Sequence, residues 1–207
     1  MRTLGICLFV MLLAASYSAA DRIIFAPTGS TLSTGQIRAE AAVKSSDTSQ
    51  HLYWGAIGLG QIELSAIKVD KNESLSHFGD DDVVSVALGL IPETLITPGV
   101  SVGVWNVGAD DHRDRGYYLA ASKSVPMDSS FSFLSNLRVH VGVGSKGTSG
   151  TFGGVELGLP KGVRVSAEYF QHNANFALDW MPIKAARLKV YWIDGDPYYG
   201  LEFSKPF

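Results

Sequence analysis

One cysteine, Cys7, occurs in the 207 residues, and it lies inside the first apolar run. The remainder of the chain therefore has no thiol for a disulfide or a thiolate metal site. Long apolar stretches are equally scarce. After Leu4 to Ala15 nothing approaches the roughly 18 consecutive apolar residues of a membrane-spanning helix, so membrane residence would require a β-barrel. Nor is there an excess of base: 17 Lys and Arg face 20 Asp and Glu, for a net charge of -3, which lacks the basic footprint of a nucleic-acid-binding protein.

The first twenty residues read as a secretory signal. Arg2 is the positive start, Leu4 to Ala15 the apolar centre, and Ser18-Ala19-Ala20 the small residues before a cut at Asp21. Cys7 precedes most of that apolar run, which excludes it as the lipidated cysteine of a lipoprotein. Removal of 20 residues leaves 187, enough for one domain, and the loss of Arg2 from the 17 bases leaves 16 against 20 acids.

What is abundant is alternation with a period of two. Val155, Leu157 and Leu159 alternate with Glu156 and Gly158; Val163, Val165, Ala167 and Tyr169 with Arg164, Ser166 and Glu168. Phe176, Leu178 and Trp180 are followed by Leu188, Val190, Trp192 and then Tyr199, Leu201, Phe203, each set again at every second residue. A helix cannot keep one face apolar at that spacing, whereas a strand does so automatically. Upstream, the same period predicts strands around Ile37 to Val43, Leu52 to Ala56, Ile62 to Ala66, Val84 to Leu90, Val100 to Val104, Tyr117 to Ala121 and Leu137 to Val143. At Ile67, Lys68 and Val69 the pattern inverts, which reads as a bulge or as the strand's exit from the sheet.

Twelve strands of roughly nine residues result, an even number and the length of a tilted strand that crosses a bilayer. Connections after odd strands are the charged ones, such as 70–81 and 108–115; those after even strands, such as Gly58 to Gly60 and Pro160-Lys161, face the opposite side. The former are expected to be extracellular and the latter periplasmic.

Alternation also fits a secreted β-sandwich with the apolar face inside. The composition of the other face weighs against it. That face is rich in small residues (Gly55, Ser101, Gly103, Ala120, Ser122, Gly142, Gly144, Gly154, Gly158, Gly200), which suit a narrow lumen better than a solvated sheet. Its charges are nearly balanced: Arg38, Arg138, Arg164, Arg187 and Lys189 against Glu40, Glu63, Glu156, Glu168, Asp179 and Glu202. Enclosed charges must pair, so these residues, with His140 as a hydrogen-bonded neighbour, are expected to form a charge ladder across the interior. Trp54, Trp105, Trp180 and Trp192 fall near strand ends, where interfacial girdles belong.

Several segments carry a resemblance. Ala26-Pro27-Thr28-Gly29 with Gly35-Gln36, Gly58-Leu59 with Ile62-Glu63-Leu64, Phe152-Gly153-Gly154-Val155-Glu156, and Gly162-Val163 with Ala167-Glu168-Tyr169 resemble the YjbH-like outer-membrane β-barrel proteins. The resemblance implies a role around exopolysaccharide export, with polysaccharide-export components as partners. The terminal Phe207, with Tyr199, Leu201 and Phe203 before it, is similar to the signal read by the outer-membrane assembly machinery.

Motifs for chemistry are weak. Gly142-Val143-Gly144-Ser145-Lys146-Gly147 matches G-x-G-x-x-G, yet a strand follows where a phosphate-binding helix is needed. Asp110-Asp111-His112-Arg113-Asp114 and Asp80-Asp81-Asp82 read as solvated loop charge, since neither has the spacing of a calcium loop. There is no G-x-S-x-G, and of the five histidines only His140 lies in a strand. The sequence thus reads as signal peptide 1–20, lead segment 21–34 and barrel 35–207. The fold class is an all-β, single antiparallel up-and-down transmembrane barrel in the outer membrane of a diderm bacterium, in contact with outer-membrane lipid. It carries no cofactor, no metal, no nucleic acid and no enzymatic activity. The role is structural or transport-related, with a small porin-like channel and a soluble secreted β-domain as alternatives.

Overall fold

The computed structural model describes residues 22–69, 82–109, 115–125, 127, 133–148 and 150–205. The expected segment 1–20, the acidic run 70–81, residues 110–114 and Phe207 lie outside the described residues.

Twelve strands follow one another: β1 Ile37–Lys44, β2 His51–Leu59, β3 Ile62–Val69, β4 Asp82–Ile91, β5 Gly99–Trp105, β6 Gly116–Val125, β7 Asn136–Ser145, β8 Gly150–Leu159, β9 Val163–Phe170, β10 Asn173–Ile183, β11 Ala186–Ile193 and β12 Asp196–Lys205. Each pairs antiparallel with its neighbours in sequence, and β1 pairs β12 to close the barrel, so no strand edge is left unpaired. The hairpins are tight where the sequence supplies left-handed residues. Asp194 and Gly195 both have positive φ, 53° and 84°, as a two-residue turn matched to strand twist requires.

The pleat sends alternate side chains to opposite faces, and the two faces differ sharply. Outside, Val141, Val143, Phe176, Trp180, Tyr199 and Phe203 are all exposed, and Val139, Val165 and Leu201 do not meet in any core. Inside, the ionic residues are buried. The soluble sandwich is thereby excluded, because it would bury the first set.

Three expectations need correction. At Ile67 to Val69 there is neither bulge nor exit: β3 pairs in continuous register from Leu59↔Ile62 to Leu52↔Val69. Ile67 is buried because the lumen wall itself turns apolar there. On β2 both alternating sets are apolar, and Leu52, Trp54 and Ala56 point inward while Tyr53 and Leu59 point out, which leaves Gly55 off the lumen face. Trp54 and Trp105 are therefore interior residues, and of the four tryptophans only Trp180 and Trp192 lie on the outer surface.

Candidate functional site

The lumen is the place where chemistry is concentrated, and strand register sets most of its pairs. Ser122 lies across from His140, Arg138 from Glu156, Asp179 from both Arg164 and Lys189, Arg187 from Glu202, and Glu40 from Glu202. The last pair is like-charged and directly opposed, which is repulsive in a sheet. Lys189 resolves it: its Nζ lies 2.7 Å from Glu40 Oε2 and also pairs with Glu202.

From there the charges run round the wall. Arg38 Nε stands 3.6 Å from Glu202 Oε1 and Arg187 approaches the same oxygen at 3.5 Å. Arg187 Nε is 3.0 Å from Asp179 Oδ1 but out of line for a hydrogen bond, whereas Arg164 Nε donates to Asp179 Oδ2 at 2.8 Å. Arg164 also pairs with Glu156, whose Oε1 lies 2.9 Å from His140 Nε2. His140 Nδ1 is 2.7 Å from Ser122 Oγ. All of these side chains are buried except those of Arg164 and Arg187, which are partly so. Tyr191 adds a hydroxyl donor to Glu40.

Residues 22–34 do not precede the barrel as a separate lead; 22–32 run through its interior and Ser33 and Thr34 emerge at its rim. Ile23, Ile24, Phe25, Ala26 and Leu32 are all buried. A tight turn, with Ile23 N–H donating to the Ala26 carbonyl and a bridge from Arg22 to Pro27, aims successive N–H groups at one point. That point is the Glu168 carboxylate, which accepts from Ile24 at 2.9 Å, Phe25 at 3.0 Å and Ala26 at 2.9 Å. Asn175 Nδ2 completes its shell at 2.9 Å. Consecutive amides converging in this way form an anion nest, here filled by the protein's own acid.

Further along, Ser101 Oγ donates to the Thr28 carbonyl at 2.6 Å, Gly29 N–H donates to Ser122 Oγ at 2.7 Å, and Leu32 N–H donates to Glu63 Oε2 at 2.8 Å. Arg138 donates to Ser30 Oγ at 2.6 Å while it holds Glu93 at 2.9 Å. At the other end Arg22 sits 3.0 Å from Glu40 and 4.0 Å from the centre of the Trp54 ring. The ladder therefore begins and ends on this segment, at Gly29 through Ser122 and His140, and at Arg22 through Glu40.

Ser122, His140 and Glu156 have the order of a nucleophile, a base and its orienter. Ser122 is 1% exposed, and its oxygen already accepts the Gly29 amide. No reacting group has room beside it, and the trio serves to hold the segment. Among the described residues no cluster of metal-ligating side chains is present.

Small residues on the wall make space for the rings and the segment. A Cβ on Gly142 would collide with Phe152, and one on Gly144 with Thr148. Those two glycines of the G-x-G-x-x-G match thus serve packing. Phe152 stacks edge-on with Phe170 at 5.7 Å and Phe170 with Trp105 at 5.4 Å. Between the segment and the β2–β6 wall lies a cavity of about 20 Å³, bordered by Arg22, Trp54, Glu63 and Trp105, which is room for little more than one water.

The twelve residues expected to form the ladder all reach the lumen, but not one network. Arg38, Glu40, Arg138, His140, Glu156, Arg164, Asp179, Arg187, Lys189 and Glu202 contact one another or further charges, whereas the described contacts of Glu63 and Glu168 go to main-chain amides and to Asn175. Arg22 and Asn175 escape the sequence reading, and Ser101 and Ser122 enter it only as small residues of the lumen face, not as partners of residues 22–34. The one available signal is the apolar Ile23-Ile24-Phe25, greasier than a solvated lead should be.

No family model and no curated protein matches this chain. Among solved structures it is similar to one described as a KdgM porin, at a TM-score of 0.51 and 10% identity, over 83% of this chain and 99% of that one. This chain has the fold of that porin. Two variants of the Rh. blastica porin align at TM-scores of 0.38 and 0.36 with 9% identity, over 75% of this chain and 55% of theirs.

Proposed function

We propose that the chain is an outer-membrane barrel of porin type whose solute path is the lumen, closed in this conformation by residues 22–34 and the charge ladder. The observation that carries the reading is the inversion of the two faces: exposed Val, Leu, Phe and Trp outside, buried Arg, Glu and Asp inside. A contiguous apolar exterior of this extent needs an apolar solvent. The fold shared with a porin supports the same reading. Tyr199, Leu201 and Phe203 on the outer face of β12 fit a strand presented to the outer-membrane assembly machinery.

The YjbH-like affiliation and the exopolysaccharide role rest on turn and strand motifs alone. The fold shared with a porin favours the porin reading over these.

Fractionation and planar-bilayer recording test it. The protein should remain with the outer membrane until extracted by detergent and should give brief, infrequent conductance steps over a closed baseline. Val139→Arg and Val165→Arg should each cost about 2–4 kcal/mol of folding stability in vesicles, the penalty for a cation facing lipid at mid-membrane. Neutral effects at both positions would remove the membrane assignment; an electrically silent bilayer at every voltage would remove the channel.

A further inference from the structure

We infer that residues 22–34 occupy a binding track for a peptide chain with a tight turn at one end, acting as a built-in competitor for it; the inference deepens the porin reading and rests on it for the track's access to solutes. The wall recognises main chain. Glu168 takes three consecutive main-chain amides, Glu63 the amide of Leu32, Ser122 the amide of Gly29, and Ser101 the carbonyl of Thr28. These six contacts ignore side chains. A peptide of another sequence that folds the same turn at Glu168 could make them, since contacts to the main chain give affinity with little sequence specificity.

Charge narrows the class. Glu168 is buried, and among the described residues its carboxyl group meets only N–H donors, which a peptide brings and an anionic polymer lacks. Near Arg22 the track offers Glu40 and the Trp54 ring, a place for one cation. Near Gly29 it admits no side chain, because a Cβ there would collide with the Gly99 carbonyl oxygen and the Ser122 nitrogen. The ligand is thus a neutral or cationic peptide that turns at Glu168 and has a small residue at the Gly29 position.

The Gly29 contact supplies the test, since Gly29→Val should expel the segment while leaving every recognising group of the wall in place. In the full-length protein carrying Ala26→Cys and Cys7→Ser, a hydrophilic maleimide should label position 26, buried in the native state, at least roughly tenfold faster once Gly29→Val is added. A fluorescent synthetic peptide with the sequence of residues 22–34 should then bind the Gly29→Val protein. The same peptide with Val at that position should not bind, and a maltodextrin of similar length should not compete.

Retention of heat-dependent gel mobility shows that the barrel is folded; if Gly29→Val loses it, Glu168→Gln replaces it in the labelling experiment. Unchanged labelling in a folded variant, failure of the peptide to bind, or equal competition by the maltodextrin overturns the inference. Peptide binding without any conductance would keep the track and remove the porin reading. Conductance without peptide binding would do the reverse.

Discussion

Arg164 Nε lies 2.8 Å from Asp179 Oδ2, directly across the β9 and β10 pair. The guanidinium of Arg187 approaches the other oxygen of the same carboxylate, so one acid, 2% exposed, balances two cations. Asp179→Ala would remove the acid between the two guanidinium groups and leave Glu156 for Arg164 and Glu202 for Arg187. Removal of one partner from a buried ion pair typically costs about 3–5 kcal/mol. Asp179→Asn keeps an acceptor for Arg164 and should cost less. Urea unfolding from lipid vesicles, followed by tryptophan fluorescence, gives the comparison. A midpoint for the alanine variant equal to wild type would show that the ladder does not hold the wall together.

Glu93, in the connection between β4 and β5, gives stability a dependence on pH. Burial pushes its carboxyl up, but the Ser124 N–H and the Arg138 guanidinium outweigh that and hold it below its ordinary value of 4.5. A folded-state value below the unfolded one means that the contribution is complete above the ordinary carboxylate range. It is lost as pH falls through the depressed value. Glu93→Gln should therefore be less stable than wild type at pH 7, with the two unfolding midpoints converging in acid below about pH 4.5. Parallel curves across the whole range would show that the pairing with Arg138 contributes nothing.

The contact between Gly142 and Phe152 makes a packing prediction. These residues face each other across β7 and β8, and the ring lies over the glycine where a Cβ would be. Gly142→Ala should cost about 1–3 kcal/mol, the range for overpacking a filled interior. Trimming the ring in the double variant Gly142→Ala/Phe152→Leu should recover part of that loss, because the two changes share one space. Additive losses in a thermal-unfolding cycle would mean that the ring moves aside at no cost.

The sequence makes the wall legible where the two faces differ in chemistry. From Leu137 to Phe203 the outward residues are mostly apolar and most inward ones charged or small, so the period assigns both faces, although Phe152, Phe170, Tyr191, Ile193 and Tyr198 also turn inward. On β2 both faces are apolar, and nothing local says that Trp54 rather than Tyr53 turns inward. Ile67 misleads for the same reason: an apolar lumen residue breaks the alternation without bending the strand. The inner segment is hidden more deeply. Its partners Glu168 and Ser122 are 144 and 93 residues away from the amides they accept, and those distances close only once the barrel has formed.

The tryptophans allow the two faces to be told apart in solution. Trp180 and Trp192 are 48% and 41% exposed on the outside, whereas Trp54 and Trp105 are 4% and 5% exposed within the lumen. In vesicles made with brominated lipid, the Trp54→Phe/Trp105→Phe variant, which keeps the outer pair, should be strongly quenched. The complementary Trp180→Phe/Trp192→Phe variant should keep most of its emission, since heavy-atom quenching needs contact with the acyl chain and the barrel wall lies between. Trp54 also stacks on the Arg22 guanidinium at 4.0 Å, so the emission of the inner pair should shift when Glu168→Gln loosens residues 22–34. Equal quenching of both variants would place lipid on both faces of the wall, an arrangement that the buried charges of Asp179, Glu202 and Arg38 forbid.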